Sequence, residues 1–139
     1  ADMVYKRIEP QLSNYMGRVF EEICMQHIIQ IKSALQIAGV SSIDSSYIVR
    51  GNDEVEGIQI DLIIDRADDV INVCEMKFCK SYFEVTQSYA EKLACRTALL
   101  ESRNPGKTFL MTLISATTLK QNEYSEIFSS NISIDELFR

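Results

Sequence analysis

At 139 residues and 46% hydrophobic, the chain is long enough for one domain with one core and too apolar for a disordered tail. Its net charge of −6 argues against a dedicated duplex-binding module, and no stretch approaches the roughly 20 apolar residues of a membrane span. The charge is uneven, however: residues 40–76 hold nine acids and two bases, whereas residues 77–110 hold six bases and three acids.

Pro10 precedes a stretch whose apolar residues recur in steps of three and four: Leu12, Tyr15, Met16, Val19, Phe20, Ile23, Cys24, His27, Ile28, Ile31 and Leu35. That spacing predicts one long amphipathic helix, capped by Ser13 or Asn14 and stopped by Gly39. Glu21 borders its apolar stripe, where a carboxylate is costly unless paired or metal-bound, and Glu22 falls on the solvated side. Gly17, one turn earlier, would admit a close backbone approach. His27 reads as a satisfied core histidine.

A short strand and polar turn follow in SSYIVRGNDEVEG. Residues 57–65 and 70–78, rich in Ile and Val, read as two strands joined by a tight turn at Arg66-Ala67-Asp68-Asp69. Strict alternation would put Ile58, Ile60, Leu62 and Ile64 on one face and Asp61 and Asp65 on the other. On the next strand Glu75 and Lys77 share a face, while Cys74 and Met76 point to the core. Asp61 falls opposite Cys74 or, with the register moved by one, opposite Glu75; turn type decides between them. In either register two carboxylates and an ammonium converge, and hard oxygen donors at that density suit Mg²⁺ or Mn²⁺. Asp65, near the turn, reads as solvated.

A helix is predicted over residues 84–102, broken by Arg103-Asn104-Pro105-Gly106, then a buried strand over 107–115. The tail holds a loop, a short strand near Asn131 and a last helical turn. The helix is long enough for a crossover, so the strand after it should run parallel to the one before. The expected fold is an α/β sandwich around a mixed sheet. The four cysteines, Cys24, Cys74, Cys79 and Cys95, form no CxxC pair and read as reduced thiols of a cytoplasmic protein.

Asp61, followed across a hairpin by Glu75-Met76-Lys77, resembles the PD-(D/E)xK nuclease superfamily, and Gly17 to Glu21 resembles the G-x-x-x-E of that superfamily's first core helix. The resemblance spans residues 12–135 and implies a restriction-endonuclease-like three-layer sandwich in a single domain, 1–139. Two departures stand: Ile60 replaces the proline before Asp61, and the Gln-x-x-x-Tyr motif is absent, leaving Gln87 as its nearest counterpart. Within that superfamily, FEEICMQHIIQIKSALQIAGV, GIQIDLIIDR, NVCEMKF and NEYSEIF…IDELF look like the C-terminal domain of prokaryotic AAA-type ATPases. The start at Ala1 rather than Met fits an excised domain, and no GxxxxGK[ST] loop for ATP occurs.

The resemblance implies Mg²⁺-dependent (or Mn²⁺-dependent) hydrolysis of a nucleic-acid phosphodiester. Asp61, Glu75 and Glu21 would hold the metal, and Lys77 would act on the attacking water. Gln87, Lys80, Lys92 and Arg96 would contact the nucleic-acid backbone, more as DNA than RNA. It also implies an ATPase module in the same chain, no membrane, and admits a homodimer. The alternative is a nuclease-fold domain without catalysis that regulates its ATPase.

Overall fold

The computed structural model describes residues 2–49, 51 and 57–138. Helix α1 (Asp2–Gln26) and helix α2 (Ile28–Ala34) are followed by strands β1 (Ser42–Val49), β2 (Ile58–Arg66) and β3 (Val70–Lys77). Strand β4 (Tyr82–Phe83), helix α3 (Gln87–Arg103), strands β5 (Thr108–Ser115), β6 (Thr118–Leu119) and β7 (Ser130–Ser133) complete the order, and a 3₁₀ turn at Ile134–Phe138 ends it. The main sheet runs β1-β2-β3-β5-β7. β1, β2 and β3 form an antiparallel meander, β5 lies parallel to β3 after the α3 crossover, and β7 lies parallel to β5. The mixed α/β sandwich expected from the sequence is therefore present. The two-residue strands β4 and β6, which pair with each other in parallel, were not anticipated.

Two apolar layers hold the sheet. On one face Phe20, Cys24 and Ile31 of α1 and α2 pack with Leu62, Ile64, Cys74, Met76 and Ile114. On the other, Leu93 of α3 packs with Ile60, Ile71, Val73, Met111 and Leu113. α3 starts at Thr86, whose hydroxyl accepts a hydrogen bond from the Tyr89 N–H, satisfying one of the donors a helix start leaves open.

The first helix departs from expectation in three ways. It runs from Asp2 through Pro10, so Ser13 and Asn14 lie inside it and cap nothing. A proline in a helix interior removes one backbone donor and its ring crowds the carbonyl four residues earlier, a cost of about 3 kcal/mol. Leu12 and Tyr15 are 54% and 56% exposed and Met16 is also exposed, because the sheet begins beneath Phe20, which is 3% exposed. The helix is also divided: His27 leaves helical geometry (φ −120°, ψ 33°) and its Nδ1 donates to the Ile23 carbonyl at 2.7 Å, with its ring edge-on to Phe138. The structural role foreseen for His27 thus holds, as the joint between two helices.

α2 ends well before Gly39. Gln36 takes the left-handed conformation (φ 61°) that closes a helix, and the Ile37 N–H returns to the Lys32 carbonyl at 2.9 Å. Nor does Gly17 admit a close approach: a Cβ built there meets nothing within 4 Å.

Candidate active site

The β2–β3 hairpin fixes the site. Its turn closes with the Asp69 N–H donating to the Arg66 carbonyl at 3.3 Å, and Asp69 sits at φ 63°. Asp tolerates this region better than most residues, because its short polar side chain bonds locally. The Arg66 guanidinium holds Asp68 and the buried Asn72, pinning the turn to the strand. The resulting ladder pairs Asp65 with Ile71 and Leu62 with Cys74. Continued by one step, it sets Asp61 opposite Glu75, which is the second of the two registers left open by the sequence.

The other edge of β2 explains how Asp61 is aimed. Ser45 pairs with Ile63, yet Tyr47 pairs with Ile60, so Asp61 and Leu62 together oppose the single residue Ser46. This is a β-bulge, which bends a strand and re-aims its side chains. Its effect is visible in the packing: Ile60 belongs to the α3-side core and Leu62 and Ile64 to the α1-side core. The single apolar face expected for Ile58, Ile60, Leu62 and Ile64 is corrected accordingly; one extra residue inverts the alternation midway.

The β2–β3 ladder ends at Leu62 and Cys74. Just beyond, the Asp61 side chain takes over the role of a ladder partner: Oδ2 accepts the Met76 N–H at 2.9 Å, and Oδ1 faces the Gln59 amide at 3.4 Å. Asp61 and Glu21 line one cavity of about 220 Å³, together with Met25, Ser46, Gln59 and Met76. Burial pushes the Glu21 carboxyl above the usual range, and the Asp61 charge adds to the effect, while Lys77 and Arg18 act against it.

Glu75 turns to the opposite side of the sheet. It is 4% exposed, and Arg96 of α3 donates to its Oε1 through Nη1. Burial raises its carboxyl too; Arg96 opposes that, Asp61 reinforces it and Lys77 opposes it. Asp61 is thus electrostatically coupled to both Glu21 and Glu75. The Lys77 ammonium lies 5.2 Å from the centroid of the Tyr89 ring, a cation–π distance. The Tyr89 hydroxyl is buried without a hydrogen-bond partner among the described residues, and burial raises its pKa.

Of the residues proposed from sequence, Glu21 and Asp61 share a cavity, and Glu75 and Lys77 lie on the other side with α3. Among the described residues no three His, Cys, Asp or Glu side chains close to metal-holding distance. Gln87 begins α3 on its exposed side, its amide donating to Glu91 at 3.2 Å, and Lys80 is exposed in the segment after β3. Asp65, read as solvated, is instead paired with Lys107 at 2.8 Å. Arg96, expected as a contact to the nucleic-acid backbone, is instead the partner of Glu75.

Glu22 is exposed, as the sequence indicated. Cys24 and Cys74 are buried, Cys79 half-buried and Cys95 exposed, all as free thiols, and burial pushes the Cys24 thiol up to about 12. Among the described residues no helix is long and apolar enough to cross a membrane.

No curated protein matches the chain. A solved structure titled as a protein of unknown function, AF1548, is similar at a TM-score of 0.52 and 19% identity, over 80% of this chain and 61% of that one. The chain therefore spans less than two thirds of that structure's length, and at this identity the likeness concerns the fold alone. The family model described as archaea bacterial proteins of unknown function, DUF234, matches residues 1–93 of the 139, and the chain belongs to that family.

Proposed function

We propose that this domain hydrolyses nucleic-acid phosphodiesters with a divalent cation, as the PD-(D/E)xK pattern implies. The observation that carries the reading is the position of the Asp61 carboxylate. A bulge delivers it to the point where the β2–β3 ladder ends, coupled to Glu21 on one side and Glu75 on the other. Like charges so placed are costly without a cation, and carboxylate oxygens are the donors that Mg²⁺ and Mn²⁺ take. Asp61 and Glu21, which line one cavity, are the two donors such an ion would draw on. Glu75 lies on the other side of the sheet, held by Arg96, and is not among the donors of that cavity.

A cation bound there supplies positive charge to the scissile phosphate and lowers the pKa of the attacking water. The Lys77 ammonium, whose charge is felt by both Glu21 and Glu75, would orient that water by donating to it and would stabilise charge developing on the phosphate. Tyr89 keeps the ammonium in place. The Met76 N–H fixes the rotamer of Asp61. The substrate is DNA in preference to RNA, the domain works beside an ATPase module of the same chain, and a homodimer is compatible with both. Free thiols at all four cysteines support a reducing, cytoplasmic setting.

A second reading has its own observation. With Glu75 engaged by Arg96, the fold also suits a non-catalytic domain that targets or regulates the ATPase. The purified protein and its Asp61→Asn variant, incubated with labelled single- and double-stranded DNA and RNA, separate the two. Cleavage by the parent in Mg²⁺ or Mn²⁺, abolished by a chelator and reduced about 10³-fold in the variant, is expected. Absence of cleavage on every substrate overturns the nuclease reading in favour of the second.

A further inference from the structure

We propose that Arg96 is a positioning residue for Lys77: its ion pair with Glu75 sets how far α3 lies along β3, and α3 in turn carries the Tyr89 ring to the Lys77 ammonium. That Lys77 serves a reaction rests on the reading above; its placement does not.

Glu75 and Lys77 stand two residues apart on β3, about 6.6 Å, and so project from one face of the strand. Tyr89 and Arg96 stand seven residues apart on α3, about two turns and 10.5 Å, and so share one side of the helix. The crossover helix runs back against β3 before the parallel strand β5, so the two pairs meet in reverse order, 75 with 96 and 77 with 89. Arg96 Nη1 donates to Glu75 Oε1, and Lys77 Nζ lies 5.2 Å from the Tyr89 ring centroid. Leu93, between Tyr89 and Arg96 in sequence, is fully buried in the apolar layer of that side.

These contacts differ in what they fix. Apolar packing is non-directional, so Leu93 holds α3 to the sheet without setting how far it slides. A cation over a ring is attracted weakly and over a range of positions. A charge-assisted hydrogen bond is directional, and with Glu75 and Arg96 only 5% and 11% exposed, a slip would leave a buried charge unpaired. The ion pair is therefore the contact that sets the height of α3. The ring it delivers is steadied from other sides: Phe83 meets it edge-on, centroids 5.6 Å apart at 80°, and the Thr86 hydroxyl accepts the Tyr89 N–H. Without that ring the four-carbon stem of Lys77 leaves its ammonium free to wander.

The test follows Lys77 itself, with neither metal nor substrate added. Acetylation by acetic anhydride is timed lysine by lysine with mass spectrometry in the parent, in Tyr89→Leu and in the double variant Glu75→Gln/Arg96→Met, which removes both charges and keeps side chains of similar shape. NMR of each protein reads the ring-current shift of the Lys77 Cε protons. Tyr89→Leu should abolish that shift and speed Lys77 acetylation about tenfold. The double variant, with Tyr89 intact, should lose most of the shift and gain a similar factor in rate, while Lys120 reacts as in the parent. A folded double variant that keeps the parent's shift and rate at Lys77 overturns the positioning role and leaves the nuclease reading standing, as does a Tyr89→Leu protein without effect. Should the double variant fail to fold, Arg96→Lys decides: a compact ammonium holds Glu75 less firmly, so an intermediate Lys77 rate is expected and the parent's rate overturns the role. Cleavage unchanged by Lys77→Ala, by contrast, overturns the use of the lysine in the reaction and leaves its placement standing.

Discussion

Lys77→Ala is expected to slow metal-dependent phosphodiester cleavage about 10³-fold while leaving Mn²⁺ affinity within about twofold of the parent. The separation follows from the site's two sides. Cation binding draws on oxygen donors, Asp61 and Glu21 first, and Lys77 has none to offer. Its ammonium, lying over Tyr89 and on the face of Glu75, would in the proposed reaction offset the charge that develops in the chemical step. Removing it strips transition-state stabilisation without removing a ligand, so the loss falls on kcat and not on metal affinity. Truncation also removes one of two positive groups near Glu75, so a small rise in Mn²⁺ affinity is admissible; a large fall is not. Rates under single-turnover conditions with calorimetry on the same preparation read both quantities. Unchanged cleavage would assign the reaction to other residues.

Leu113→Ala is expected to destabilise the fold by about 3 kcal/mol, within the roughly 2–5 kcal/mol range for buried leucines. For a chain of this size that corresponds to a fall in Tm of about 10 °C. Leu113 is fully buried in β5, the strand between β3 and β7, and it pairs with Glu75 on β3 and with Asn131 on β7. It packs in the α3-side layer with Leu93 and Val73, well within the sheet, where collapse around a void is hard. The same truncation at Leu12, which is 54% exposed, should cost under about 0.5 kcal/mol. Thermal or denaturant unfolding checks both. Equal effects would mean that the first turns of α1 carry core packing that their exposure denies.

The strands, the crossover helix and the mixed sheet were legible because short runs of Ile and Val separated by turn residues leave few arrangements open. Asp61, Glu75 and Lys77 stood out as charges inside such runs. What escaped was the geometry joining them. Alternation assumes an unbroken pleat, and nothing in GIQIDLIIDR marks where an extra residue is inserted; Asp61-Leu62 became a bulge only through pairing with β1. The register hung on Asp69 adopting positive φ, a choice the turn makes in concert with Arg66 and Asn72.

Arg96 was missed for a different reason, and a signal for it existed. Tyr89, Leu93, Arg96 and Leu100 follow the steps of three and four that mark the packed side of α3, and Leu93 is its fully buried member. A guanidinium in that stripe demands an acidic partner. The α3-facing acid of the neighbouring strand is Glu75. The long first helix was over-read because apolar spacing shows which residues can share a face, and says nothing of how far the sheet extends beneath them. Leu12 and Tyr15 keep the spacing with no sheet to cover it.

The most direct measurement is an anomalous difference map from crystals grown with Mn²⁺. A peak within about 2.2 Å of an Asp61 carboxylate oxygen, shared with Glu21, is the expected result. Crystals that take up Mn²⁺ elsewhere while Asp61 keeps only its Met76 and Gln59 contacts would contradict it.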